Sequence, residues 1–215
     1  MQQQLKWMIW GIMAGLATIL FLITIQYLSF KPDVNFLLEK QDIVNDPLWR
    51  PTFYVHVISG MFVILIGPFQ FLKPWRNRNL KFHRIAGKLY VYGILFFAAP
   101  SGFIMAFYAE GGFWSGLGFV ILSVLWFVFT LIAVIKIRAR QVEAHRIWMM
   151  RSFALSFAAV TLRLLVPVLS ELMYDQQELI VISTAWLSWL LNLLIAEGMI
   201  FVRLQKTHRN NLSSL

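Results

Sequence analysis

The chain has no cysteine, which removes disulfides, thiolate metal sites and cysteine nucleophiles from its chemistry. Charge is scarce too: 13% of its 215 residues are Asp, Glu, Lys or Arg, against about 25% in a typical soluble domain. Acids are the scarcer sign, 10 against 19 Lys and Arg. No GxGxxG, Walker, GxSxG or kinase signature occurs, so the mechanisms of soluble enzymes have no foothold.

Apolar residues are abundant, at 59% with a mean hydropathy of +0.68. Runs of about 20 residues recur at roughly 7–29, 53–72, 86–109, 114–135, 147–169 and 179–201, each long enough to cross a hydrocarbon core. The expected fold is all-α: an integral membrane bundle of six helices filling 1–215 as one transmembrane domain, with no room for a separate soluble catalytic domain. Lys6 precedes an apolar run longer than a signal-peptide core, and no small-x-small cleavage site closes it, so the first run is expected to be an uncleaved span.

The formal charge of +9 is distributed by loop. Lys73, Arg76, Arg78, Lys81, Arg84 and Lys88 crowd one loop without an acid; Lys136, Arg138, Arg140, Arg146 and Arg151 face only Glu143; the tail adds Arg203, Lys206 and Arg209. The intervening connections are acidic or balanced, with Asp33, Glu39, Asp42 and Asp46 against Lys31, Lys40 and Arg50, then Glu110, then Glu171, Asp175 and Glu178. This alternation is the positive-inside pattern. It places both termini in the cytoplasm. It also assigns the basicity to topology and to anionic lipid headgroups rather than to nucleic acid.

Helical steps of four and three residues draw polar seams through the spans. Span five carries His145, Met149, Ser152, Ser156, Ala159 and Arg163, a seam of about 27 Å that is expected to join an inner and an outer polar group. Span two carries His56, Gly60, Val63, Gly67 and Gln70; span three carries His83, Gly87, Tyr90, Ile94, Phe97 and Ser101, with Pro100 and Gly102 expected to bend it. Gly11, Gly15 and Thr18 are expected to be the packing face of span one. Span four, with Ser115 and Ser123 as its polar residues, is expected to face lipid along much of its surface. Glu197, the one acid inside any predicted span, requires a basic partner or a proton. The 30–52 connection reads as an external loop in which FLLEK makes one interfacial turn.

The inner polar group comprises Gln70, His83, Arg84, His145, Arg146, Arg151, Asn192 and Glu197; the outer comprises Gln26, His56 and Arg163. The tripeptide His-Arg-Ile opens both span three and span five, at 83–85 and 145–147. Two imidazoles on neighbouring helices can ligate haem iron from both sides, with arginines pairing its propionates, so His83 and His145 are the candidate metal ligands for haem b. The same groups at helix N-termini could hold a lipid phosphate or a quinone oxygen. No HExxH or close histidine–carboxylate spacing supports another metal. Tyr90, Gln70, His56 and Arg163 complete the candidate cofactor-binding set.

HRIAGKLYVYGIL at 83–95 and HRIWMMRSFALSFAAVTLR at 145–163, preceded by His56 and by GPFQFL at 67–72, resemble a bacterial multi-pass membrane family known as domain of unknown function 2306. The resemblance covers roughly 50–200 and singles out His56, Gln70, Arg76, His83, Arg84, Gly87, Tyr90, His145, Arg146, Trp148, Met149, Arg151 and Arg163. It implies the fold and the choice of residues, and no reaction. The leading expectation is therefore a small redox or ligand-binding protein holding haem or a quinone between His83 and His145. The alternatives are a proton-coupled transporter gated by Glu197 and Arg163, and an accessory subunit or homo-oligomer whose polar residues hold helices together.

Overall fold

The computed structural model describes residues 2–212, and every regular element among them is helical. Six passes are long and apolar enough to cross a bilayer: Trp7–Ser29, Trp49–Gln70, Leu80–Ala106, Gly112–Arg138, Val142–Leu172 and Gln177–Lys206. The shortest, at 22 residues, covers about 33 Å at 1.5 Å per residue. All six expected spans are present. Spans two and three start earlier than their apolar runs because polar side chains cap them. Asp46 Oδ1 accepts from the N–H groups of Leu48 and Trp49, both at 2.8 Å, and Asn79 Oδ1 accepts from Phe82 N–H at 3.0 Å.

The helices are α1 (Gln2–Thr24), α2 (Trp49–Gln70), α3 (Lys73–Arg78), α4 (Leu80–Tyr92), α5 (Ala99–Ala106), α6 (Gly112–Arg138), α7 (Val142–Ser156), α8 (Ala158–Leu172) and α9 (Gln177–Leu212). α2 packs between α1 and the third pass; α6 packs against α5, α7 and α9; α8 lies along α9 and meets α7 and α1 only in passing. The loops at 71–79 and 139–141, with the end of α9, form a basic end; the connections at 30–48, 107–111 and 173–176 form an acidic end.

Two passes are interrupted. In the third, a π turn at Gly93–Ala98 joins α4 to α5, and Ala99 N–H reaches back five residues to the Ile94 carbonyl. The Pro100 ring would strike the carbonyl of residue 96 in a regular helix, and the wider turn makes room for it. The extra residue shifts the seam: Phe97 turns outward, 53% exposed, and Ala98 takes its place inside. In the fifth pass, α7 ends and α8 begins at Phe157, whose carbonyl accepts from both Val160 and Thr161 N–H at 3.0 and 3.1 Å. The expected seam therefore ends at Ser156. Beyond the break Ala159 and Arg163 are exposed, so His145 and Arg163 do not share one continuous face.

Two further expectations are corrected. Gly11, Gly15 and Thr18 look outward, and a Cβ on either glycine would meet nothing within 4 Å. α1 instead buries Ala17, Leu20 and Thr24. The fourth pass faces outward along much of its surface, as expected, but is not plain: Ser115, Gly118, Ser123, Trp126, Thr130 and Ala133 form a buried stripe along it. At the acidic end the 30–48 connection folds back as a cap. Its 3₁₀ turn Asn35–Lys40 delivers Leu37 to a small core with Tyr27, Val44, Trp49, Phe53 and Tyr54, and buried Lys40 pairs with Glu110.

Candidate functional site

The middle of the bundle is held by hydroxyls. Tyr90 Oη lies 2.7 Å from Ser156 Oγ and 3.4 Å from Ser152 Oγ; Thr130 and Ser152 hydroxyls lie 2.7 Å apart; Trp126 Nε1–H donates to Ser156 Oγ at 2.9 Å. These five residues come from α4, α6 and α7, and all are buried. Tyr90 is therefore part of this network and not of a rim site. Thr130 and Trp126 were invisible as site residues from sequence, although their spacing of four was the available signal. Gly67 lets the layer close: a Cβ there would stand 2.3 Å from Phe153 Cε2.

At the basic end the helix starts carry the chemistry. His145, in the first turn of α7, donates from Nδ1 to the Ala133 carbonyl of α6 at 2.8 Å. A carbonyl only accepts, so a proton sits on Nδ1, and Nε2 is not engaged by this bond. His83, in the first turn of α4, is partly buried and within electrostatic reach of Arg76, His145, Arg84 and Arg146. A small open cleft beside it is lined by Phe69, Gln70, Arg76, Phe82 and His83. Arg76, on α3 outside the passes, has its pKa pushed below the ordinary arginine value by burial and then by the charges of Arg146 and Arg203. Glu143 answers this group: it accepts from Arg146 at 3.1 Å and from Arg203 Nη2 at 3.1 Å. Arg84 is exposed beside His83.

Deeper on the same side, Arg151 and Glu197 satisfy each other through two bonds, Nε–Oε1 at 2.5 Å and Nη2–Oε2 at 2.9 Å. The guanidinium also lies 4.5 Å from the Trp148 ring centroid. The basic partner that Glu197 required is Arg151. Asn192, grouped with them from sequence, instead accepts from Thr161 Oγ1 at 2.9 Å and donates to the Ser188 carbonyl at 2.9 Å.

The outer group is separate. His56 donates from Nδ1 to the Ala98 carbonyl at 2.9 Å, and Arg163 lies within electrostatic reach of it. Gln26 bonds within its own turn, to the Ile23 carbonyl. The structure thus gathers Gln70, His83, His145, Arg84 and Arg146 at one rim and adds Arg76 and Arg203. Arg151 with Glu197, Tyr90, and His56 with Arg163 form three other places. Among the described residues no group of three or more His, Asp or Glu is close enough to hold a metal ion.

Fold and sites together define a six-pass helical membrane protein with a polar interior. The family model described as predicted membrane protein (DUF2306) matches residues 53–200, and the chain belongs to that family. No curated protein and no solved structure matches it.

Proposed function

We propose that this chain is a ligand-binding protein of the bacterial cytoplasmic membrane, both termini inside, whose basic-end cleft takes the phosphate of a lipid-phase molecule. The observation that carries the reading is the gathering of positive charge: Arg76 and His83 line the cleft, Arg146 and Arg203 lie within electrostatic reach of Arg76, and Glu143 accepts from both Arg146 and Arg203. Guanidinium forks match phosphate oxygens, the Gln70 amide can add a donor, and Phe69 and Phe82 line the entrance as apolar surface for the tail. Arg151 and Glu197 are spent on each other, which takes away the free carboxylate on which a proton-coupled carrier would depend.

A redox reading has one observation in its favour: the Nδ1–H bond of His145 to a carbonyl is how ligating imidazoles are oriented, with Nε2 free for iron. One preparation in mild detergent tests these readings. Phosphate-bearing lipid in the extract, lost in Arg76→Gln, supports the proposal. A reduced-minus-oxidised haem band, or extractable quinone lost in His83→Ala, would replace it. Neither ligand in folded protein would leave the accessory-subunit reading.

A further inference from the structure

We infer that Arg163 of α8 and His56 of α2 mark a second binding site near the acidic end, entered sideways from the lipid. Its occupant is the acidic head of an amphiphile, with Arg163 as the charge partner and His56 as the neighbouring imidazole.

Arg163 stands nine residues (172 − 163) before the end of α8 at Leu172, about 13 Å along the axis. An arginine that only snorkelled would send its guanidinium toward the rim. Here Nη1 turns the other way and donates to the Ala159 carbonyl at 3.0 Å, one turn deeper into the span. Among the described residues no carboxylate pairs with it, and the groups within its electrostatic reach are Tyr27 and His56. A guanidinium at this depth with one bond to its own helix carries the full cost of a charge in lipid, and an anionic partner offsets that cost.

The surroundings are built to hold such a partner. Because α8 leaves the line of α7 at Phe157 and follows α9, it meets α1 only in passing. The His56 ring is seated by Gly102, where a Cβ would come within 2.9 Å of Cε1, and is oriented by the Ala98 carbonyl, which leaves its Nε2 unspent.

The occupant follows from depth. A free ion would have to cross hydrocarbon. A second copy offers no carboxylate there: its acids stand at the rims, apart from Glu197, which lies toward the other end and is bound to Arg151. An acyl-chain carboxylate or a lipid phosphate brings paired oxygens on an apolar stem, the chemistry that guanidinium forks recognise.

The test uses the full chain in nanodiscs of zwitterionic lipid, with a fluorescent polyene fatty acid as probe. Saturable binding is expected, weakened at least about tenfold in Arg163→Gln and less in Arg163→Lys, because charge persists where the fork is lost. Arg76→Gln should leave this affinity unchanged, which separates the site from the basic-end cleft. Displacement by unlabelled fatty acid but not by phosphatidylglycerol assigns the carboxylate source, and displacement by phosphatidylglycerol assigns the lipid phosphate. Equal affinity in wild type and folded Arg163→Gln, or no saturable binding, overturns the inference. So does a strong drop in thermal stability of ligand-free Arg163→Leu, since a side chain waiting for a ligand supports no helix packing.

Discussion

Glu197 and Arg151 meet well inside the protein, yet their side chains remain 43% and 22% exposed. Such a pair is worth less than its two short bonds suggest. Arg151→Ala is expected to cost about 1–3 kcal/mol, because it abandons the carboxylate and the Trp148 contact together. The double change to alanine should cost less than the sum of the singles, a coupling that thermal unfolding in detergent would measure. At Gly67 the question is space: Gly67→Ala puts a methyl against the Phe153 ring and is expected to cost about 1–3 kcal/mol by overpacking. The sequence marks Glu197 as needing a partner because a lone acid in an apolar run is costly. It cannot name Arg151, 46 residues away, because that pairing depends on how α7 and α9 cross.

Helical seams are legible as far as the helices stay regular. From His83 to Ile94 and from His145 to Ser156 the four-three spacing marks positions that the structure turns inward. Both seams fail at interruptions. Pro100 announces the one in the third pass. Nothing announces Phe157, which is an ordinary aromatic in the middle of the 147–169 run. The hydroxyl layer sits beside both breaks and fastens α4, α6 and α7. Ser156→Ala removes the partner of Trp126 Nε1 and of Tyr90 and is expected to lower stability by about 1–3 kcal/mol. Ser188→Ala is expected to be neutral or stabilising, because the Ser188 hydroxyl is buried without a hydrogen-bond partner. The contrast between these two serines, read as unfolding midpoints, separates a network from buried polarity.

The molecule as a whole has a charge axis. Span number and approximate bounds are legible because hydropathy and length fix them, and the alternation of loop charge predicts which end stays in the cytoplasm. The basic-end cleft is only half legible, since Arg76 and Arg203 come from elements far apart in the chain and join His83 only when the passes pack. Because the chain has no cysteine, single cysteines report its orientation directly. Asp42→Cys should react with an impermeant maleimide in intact cells, and Arg78→Cys only after permeabilisation. The reverse pattern would invert the topology and move the cleft to the opposite leaflet.

The central claim is that the basic-end cleft binds a lipid phosphate, and the most direct measurement is titration of delipidated protein with phosphatidylglycerol, followed by native mass spectrometry. The account predicts discrete adducts on the wild type. They weaken at least about tenfold in Arg76→Gln combined with His83→Ala and persist in Arg163→Gln. Adducts of equal strength in all three proteins would contradict it.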